Sequence, residues 1–126
     1  MSVDITDAEL AVMKVLWEQS PLNARQITEQ LSREKSWHRK TVNTLLSRLE
    51  GKSAIAARKH DDGVRYFTPR VDQDSYGQAA ATELVDSVFN GELAPLIACF
   101  ARNRRLSRAQ IDQLRQLIEE IDDEDA

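Results

Sequence analysis

Residues 35–70 hold the side chains of this sequence that are best suited to bind a charged ligand. The segment has nine basic and three acidic residues, a local net charge of +6, whereas the whole chain has a net charge of −4. Residues 36–49 have the pattern of a helix, and a β-hairpin follows with its turn at residues 61–63. A positive island on an acidic protein favours a polyanionic ligand, so the segment predicts contacts with phosphate, most simply those of DNA.

The predicted helix at 36–49 separates apolar from polar side chains. Val42, Leu45, Leu46 and Leu49 follow the i, i+3, i+4, i+7 spacing of a buried helical stripe. At about 100° per residue, the polar side chains fall on the far side, where Asn suits adenine, Thr a thymine methyl group, and Lys or Arg guanine or phosphate. The predicted DNA-binding residues are Arg39, Lys40, Thr41, Asn43, Thr44, Ser47 and Arg48, together with Arg65 on the hairpin. The alternative is an ordinary solvated helix face and an ordinary exposed arginine.

Two further helices precede this one, and both begin with a recognisable cap. Thr6 with Glu9, and Asn23 with Gln26, have the spacing of a capping box, which predicts helices at about 7–19 and 24–32. Three helices followed by a hairpin are typical of a winged helix-turn-helix domain. One face of the hairpin is expected to pack on the helices through Ile55, Ala57, Val64, Tyr66 and Thr68.

The C-terminal part has the opposite charge and a different predicted role. Residues 1–70 have a net charge of +3 and residues 71–126 one of −7, so the second part would repel DNA. Amphipathic helices are predicted at about 72–89, 92–104 and 108–121, and their apolar residues favour pairing with a second copy. A small intramolecular bundle is the alternative. The predicted dimerisation residues are Leu93, Leu96, Ile97, Ile111, Leu114, Leu117, Ile118 and Ile121.

The sequence therefore predicts a mainly α fold with a small β-hairpin. A winged helix-turn-helix DNA-binding domain occupies 1–70, and a helical dimerisation domain with an acidic tail occupies 71–126. No cofactor, metal site or enzymatic activity is expected, since the chain lacks a Gly-rich phosphate loop, an H-E-x-x-H motif and CxxC pairs. A single cysteine and an N-terminus without an apolar run favour a cytoplasmic location and no association with the membrane. A winged-helix module that binds proteins rather than DNA is the competing function.

Four segments resemble the BlaI/MecI/CopY family of bacterial repressors. They are TDAELAVMKVLW at 6–17, KTVNTLLSRL at 40–49, VRYFTP at 64–69 and NGELAPLIACF at 90–100, in the family's order. The resemblance implies a homodimeric transcriptional repressor that binds double-stranded DNA at an inverted-repeat operator. It also implies relief of repression by a protease of a membrane sensor pathway, with cleavage in the region matching Cys99 and Phe100, where Cys99 replaces the family's Asn. The copper-responsive branch has a C-terminal cysteine motif that this chain lacks.

Cys99 also suggests a second route of induction. A thiol close to a dimer interface could respond to oxidation, although a lone cysteine is more often inert packing.

Overall fold

The computed structural model describes the backbone of residues 4–125 and the side chains of residues 4–123. Six helices and three short strands follow one another as α1 (Asp7–Glu18), β1 (Leu22–Asn23), α2 (Ala24–Ser32), α3 (Arg39–Gly51), β2 (Ile55–Lys59), β3 (Arg65–Pro69), α4 (Gln73–Val88), α5 (Leu93–Arg102) and α6 (Arg108–Asp125). The mainly α fold with a hairpin is thus confirmed. The chain divides into two compact units, with the division between Ala79 and Ala80, inside α4.

The core of the first unit is formed by the apolar faces of α1, α2 and α3. Met13 and Leu16 of α1 and Ile27 of α2 are fully buried. The stripe predicted on α3 is buried as expected, with Val42 and Leu49 at 0%, Leu46 at 2% and Leu45 at 4% exposure. Burial of an aliphatic side chain of this size contributes about 1.5–3 kcal/mol, so this stripe determines which face of α3 points outward.

Both N-terminal capping boxes form as predicted. The Thr6 side chain accepts a hydrogen bond from the Glu9 N–H, and the Asn23 side chain accepts one from the Gln26 N–H. In return, the side-chain oxygens of Glu9 and Gln26 accept hydrogen bonds from the backbone N–H groups of Thr6 and Asn23. The predicted start of α3 at Ser36 is wrong, because α3 begins at Arg39. The preceding residue, His38, is extended with φ −79° and ψ 158°, so it lies outside the helix.

The sheet differs from the prediction in two respects. It has three antiparallel strands in the order β1-β3-β2, and the two-residue β1 was too short to be predicted. The predicted inward face of β3 was also wrong. Phe67 is 5% exposed and pairs with both Ala57 and Leu22, whereas Val64 is 39% exposed and Thr68 is exposed. Because strand side chains alternate, an error of one residue in β3 exchanges its two faces.

Glu9 connects the start of α1 to the end of α3 through a buried carboxylate. The side chain is 1% exposed, and its Oε1 accepts hydrogen bonds from Thr6 Oγ1 at 2.8 Å and Lys52 Nζ at 2.7 Å. Lys52 Nζ also donates to the Asp4 carbonyl oxygen at 2.6 Å. Burial by itself raises the pKa of the Glu9 carboxyl, but the hydrogen bonds from Lys52 and Thr6 lower it more. The net pKa of Glu9 therefore lies below its ordinary value, and the carboxylate is charged at neutral pH.

The second unit lacks a buried core within the described residues. Every side chain from Ala80 to Asp123 is exposed or only partly buried, although α5 and the first part of α6 have apolar residues at helical spacing. In the described part of the chain, no single helix is long and apolar enough to cross a membrane, although α4 and α5 taken together across the break between them have the required length and composition.

The Glu9–Lys52 ion pair yields a stability prediction. Lys52→Met leaves the Glu9 carboxylate buried without its counter-charge. Breaking a fully buried pair costs about 3–5 kcal/mol, and because Lys52 is one-third exposed we expect a loss of about 1–3 kcal/mol in the free energy of unfolding at pH 7. A depressed carboxyl pKa stabilises the fold at pH values above the unfolded pKa, and this contribution disappears as the pH falls through the folded pKa.

The loss should therefore shrink as the pH falls through the folded pKa of Glu9, and urea unfolding followed by circular dichroism at pH 7 and in a series of acidic buffers would measure it. Arg25→Met is the matched control, because it breaks the exposed Arg25–Glu29 pair and should cost less than about 0.5 kcal/mol. Equal losses for the two variants would contradict this role of Glu9.

Candidate nucleic-acid interface

The outer face of α3 presents a continuous polar surface. With its apolar stripe buried against α1 and α2, every predicted DNA-binding residue on this helix is exposed. Asn43 and Ser47 lie one helical turn apart, and Lys40, Thr44 and Arg48 follow one another at the same four-residue spacing on the adjacent face. The exposed set on α3 is Arg39, Lys40, Thr41, Asn43, Thr44, Ser47 and Arg48.

Thr44 differs from its neighbours because its hydroxyl group is already used. Thr44 Oγ1 donates to the Lys40 carbonyl oxygen at 3.0 Å, within the same helix. The side chain can still offer its methyl group and accept a hydrogen bond. Thr44 is thus suited to an apolar contact such as a thymine methyl group.

The first turn of α3 suits an anion. His38 precedes the helix and its side chain makes no capping hydrogen bond. The N-terminal end of a helix carries partial positive charge and N–H groups that can bind phosphate. Arg39 and Lys40 add two full charges at the same end, so a phosphate placed here would meet both the helix end and these two cations.

The tip of the β2–β3 hairpin is held in one shape by Asp62. Its carboxylate accepts hydrogen bonds from the Val64 N–H and the Tyr66 hydroxyl, both at 2.9 Å. These two bonds lower the pKa of Asp62 below its ordinary value. The His60 ring stacks on Tyr66 with ring centres 4.1 Å apart, and Gly63 adopts the φ of +79° that the turn requires. The hairpin therefore ends in an ordered tip rather than a loose loop.

Arg65, in the strand pair next to the hairpin turn, is held by α3. Its Nη2 donates to Glu50 Oε2 at 2.5 Å, and its guanidinium carbon lies 5.5 Å from the centre of the Phe67 ring. Of the eight predicted DNA-binding residues, Arg65 is the one that the described structure places in an ion pair. The pairing of Glu50 with Arg65 was not predicted, although Glu50 is the sole acidic residue of the 35–70 segment outside the hairpin turn.

The predicted dimerisation and cleavage residues all lie in the second unit, away from this cluster in the sequence. Leu93, Leu117, Ile118 and Ile121 are more than half exposed, at 60%, 54%, 58% and 57%. Leu96, Ile97, Ile111 and Leu114 are partly buried. Cys99 and Phe100 are both exposed and lie within α5. Among the described residues there is no group of three or more potential metal ligands.

The arrangement of the first unit defines a class of protein. Helices α2 and α3 form a helix-turn-helix, α3 turns a polar and basic face outward, and β2 and β3 supply an ordered basic wing beside it. These are the features of a winged helix-turn-helix DNA-binding domain.

Comparison with known proteins specifies the family. The penicillinase repressor family model matches residues 5–120, and the chain belongs to this family. It is 36% identical over 117 residues to the penicillinase repressor of Bacillus licheniformis, covering 92% of this chain and 90% of that protein. It is 28% identical over 115 residues to the methicillin resistance regulatory protein MecI of Staphylococcus aureus strain N315, covering 91% and 93%.

A solved structure agrees with the fold of the first unit. The solution structure of B. licheniformis BlaI in its monomeric form, in complex with the blaP half-operator, is 40% identical over 58% of this chain and 88% of that chain, with a TM-score of 0.52. The chain is accordingly a DNA-binding transcriptional repressor with a winged-helix fold, and it is not an enzyme.

The Glu50–Arg65 pair predicts how the wing responds to substitution. Glu50→Gln releases Arg65 and removes a negative charge beside the basic surface. We expect binding to double-stranded DNA to tighten about two- to fivefold for all sequences, and the salt slope to steepen by up to about one unit if Arg65 gains one phosphate contact. Fluorescence anisotropy titrations across a salt series would measure both quantities.

Glu18→Gln is the matched control, because it removes the same charge from an exposed position at the end of α1. If both variants change the affinity and the slope equally, the effect is one of net charge alone and the pair has no specific role.

Proposed function

We propose that this repressor acts as a cytoplasmic homodimer on an inverted-repeat operator. Each protomer inserts the outer face of α3 into the major groove and lays its wing along the adjacent backbone. The observation that carries this proposal is the division of α3 into one buried apolar face and one exposed face with Asn43 at its centre. With two-fold symmetry, the half-sites lie about one helical turn of DNA apart, roughly 34–36 Å.

The residues of α3 are given different roles by their chemistry. Asn43 reads a base, since an amide can pair bidentately with adenine, and Thr44 contacts a thymine methyl group. Ser47 adds a hydroxyl group to the same face. Lys40 and Arg48 bind phosphate, and Arg39 and Thr41 do so at the start of the helix, where the N–H groups point outward.

Arg65 completes the interface from the wing. In the proposed complex its guanidinium exchanges Glu50 for a phosphate, or extends into the minor groove. Support comes from its position, since 56% of the side chain is exposed even while it is paired with Glu50. The BlaI relative was solved with half-operator DNA in its monomeric form. That complex supports DNA recognition by a single winged-helix head.

Substitutions on α3 separate base reading from phosphate binding. Asn43→Ala should cost about 1–3 kcal/mol on the preferred operator and much less on operators altered at the contacted base pair. Arg48→Ala should weaken binding to all operators similarly and make the salt slope shallower by about one unit. Gel-shift titrations on a set of operator variants would measure both effects. If the two substitutions give the same pattern across the set, the division of roles is wrong.

Dimerisation is assigned to the second unit. Its helices contain all eight predicted dimerisation residues, each of them exposed or only partly buried, and no described side chain in this unit is buried. Contiguous apolar surface of this kind marks an interaction site, and a second copy offers the same surface. Linking two DNA-binding heads also raises the effective concentration of the second head once the first has bound.

A single charge in α6 tests this assignment. Ile118 is 58% exposed, so Ile118→Asp should leave the helical content of the protomer unchanged. In a dimer it would bury a carboxylate in an apolar interface, so we expect a monomer at micromolar concentration and weak operator binding. Gln116→Asp, on the opposite side of α6, is the matched control and should remain dimeric. Sedimentation velocity would distinguish the two variants, and a fully dimeric Ile118→Asp protein would move the interface elsewhere.

Cleavage near Phe100 remains the proposed route of induction, with a protease of a membrane sensor pathway as a further partner. Cys99 and Phe100 are exposed, but the bond between them lies inside α5, so a protease would first have to unwind that helix locally. Cleavage there would separate α6 from the rest of the chain and remove five of the eight predicted dimerisation residues. The two heads would then bind DNA independently and weakly.

A further inference from the structure

Helix α6 carries its apolar residues at the spacing of a two-helix interface. Ile111, Leu114, Ile118 and Ile121 are separated by three, four and three residues, which is the a and d pattern of a heptad. Leu117 widens this stripe on one side. The last three residues of the stripe are between 54% and 58% exposed, so most of the stripe is uncovered within the protomer. The stripe thus has the form of an unpaired helix surface about three turns long.

The charged side chains at both ends of α6 interact unfavourably with the dipole of the helix. Partial positive charge at a helix N-terminus favours acidic side chains, and partial negative charge at the C-terminus favours basic ones. The first turn of α6 has no acidic residue and begins with Arg108, while the last turn has no basic residue. Six of the residues from 119 to 125 are acidic, and arginines at 102, 104, 105 and 108 surround the start of the helix. An isolated α6 is therefore destabilised by its own charges at both ends.

One kind of neighbour compensates both ends at once: another α6 that runs in the opposite direction. We propose that α6 pairs antiparallel with the α6 of a second copy, an inference that rests on the homodimer proposed above. The acidic end of each helix then lies beside the basic end of its partner, and the two dipoles oppose each other. The apolar stripes meet between them, with Leu117 close to the two-fold axis.

The flanks of the stripe favour this direction over the parallel one. Arg108, Arg115 and Asp122 recur every seven residues along one flank. When two helices run antiparallel, equivalent flanks face each other, and Arg108 comes beside the partner's Asp122 twice in the dimer. In a parallel pair the same flank faces the other side of the stripe, so Arg115 meets Gln110, Asp122 meets Leu117, and Arg108 has no counterpart on the partner's α6. Oppositely charged contacts therefore form in the antiparallel arrangement alone.

Two other charged groups bear on Arg108 and Arg115. Arg108 Nε lies 3.8 Å from Asp112 Oδ1 of its own helix, a long contact in which both side chains are more than half exposed. Such a pair contributes little, and it leaves Arg108 available to a partner. Arg115 falls at the centre of the antiparallel pair and meets its own symmetry mate, while Asp112 and Glu119 lie three and four residues away on the same helix.

This geometry makes Arg115 a matched control for Arg108. Arg108→Glu turns two attractive contacts into repulsive ones, so the dimer dissociation constant should rise about three- to tenfold at low salt. Arg115→Glu exchanges one like-charged contact for another and should leave the dissociation constant within about twofold of the wild type. Asp122→Arg should weaken the dimer as Arg108→Glu does. The double variant Arg108→Glu/Asp122→Arg restores both contacts and should return close to the wild-type value.

Sedimentation equilibrium of the full chain at about 50 mM and 500 mM salt would measure these constants, and the differences should shrink at the higher salt concentration as the charges are screened. Circular dichroism would confirm equal helical content. If Arg108→Glu and Arg115→Glu behave alike, or if the double variant is not rescued, the antiparallel pairing is overturned while the dimer stands. A wild-type chain that is monomeric throughout would overturn the proposed homodimer itself.

Discussion

The burial of one apolar stripe of α3 determines what this protein can present to DNA. Val42, Leu45, Leu46 and Leu49 are at most 4% exposed, and each contributes more to stability than a surface ion pair. Burial of these four side chains fixes the rotation of α3 about its axis. Asn43, Thr44 and Ser47 therefore lie on the outward face. Two ion pairs at the end of α3 then connect it to its neighbours. Lys52 pairs with Glu9 on α1, and Glu50 pairs with Arg65 on the wing. The position of the wing relative to the recognition surface thus depends on a helix whose orientation is already set by packing.

The second unit follows the opposite principle. Its helices have the apolar residues of a core without a described buried side chain among them, and α6 carries charges that its own dipole disfavours. A second copy of the chain supplies the missing apolar contact and the opposite charges together. Under this proposal, the dimer interface raises the affinity for an operator although it does not contact DNA. Linking the two heads raises the effective concentration of the second head once the first has bound. Any signal that disrupts the second unit would then weaken repression without altering the recognition surface.

Local rules in the sequence were sufficient for much of the fold. The capping boxes at Thr6 and Asn23 predicted the starts of α1 and α2, and the stripe on α3 identified its exposed residues, because side-chain spacing and caps act over four residues or fewer. The features that failed depend on contacts between distant residues. Phe67 is buried because β3 lies between β1 and β2 and pairs with Ala57 and Leu22 together, and no pattern within β3 reveals this. The Glu50–Arg65 pair links residues that are fifteen apart in the sequence. It forms because the hairpin folds back beside α3, which no local pattern predicts.

The most direct test of DNA recognition by α3 and the wing is a map of the DNA-binding surface in solution. The full chain would first select a palindromic duplex from a random-sequence pool, and backbone amide resonances would then be followed by NMR as that duplex is added. We expect the largest shifts along α3 from Arg39 to Arg48 and around Arg65 on the wing, with the resonances of α6 unchanged. Selection of no duplex, or shifts concentrated outside α3 and the wing, would contradict DNA recognition by this surface.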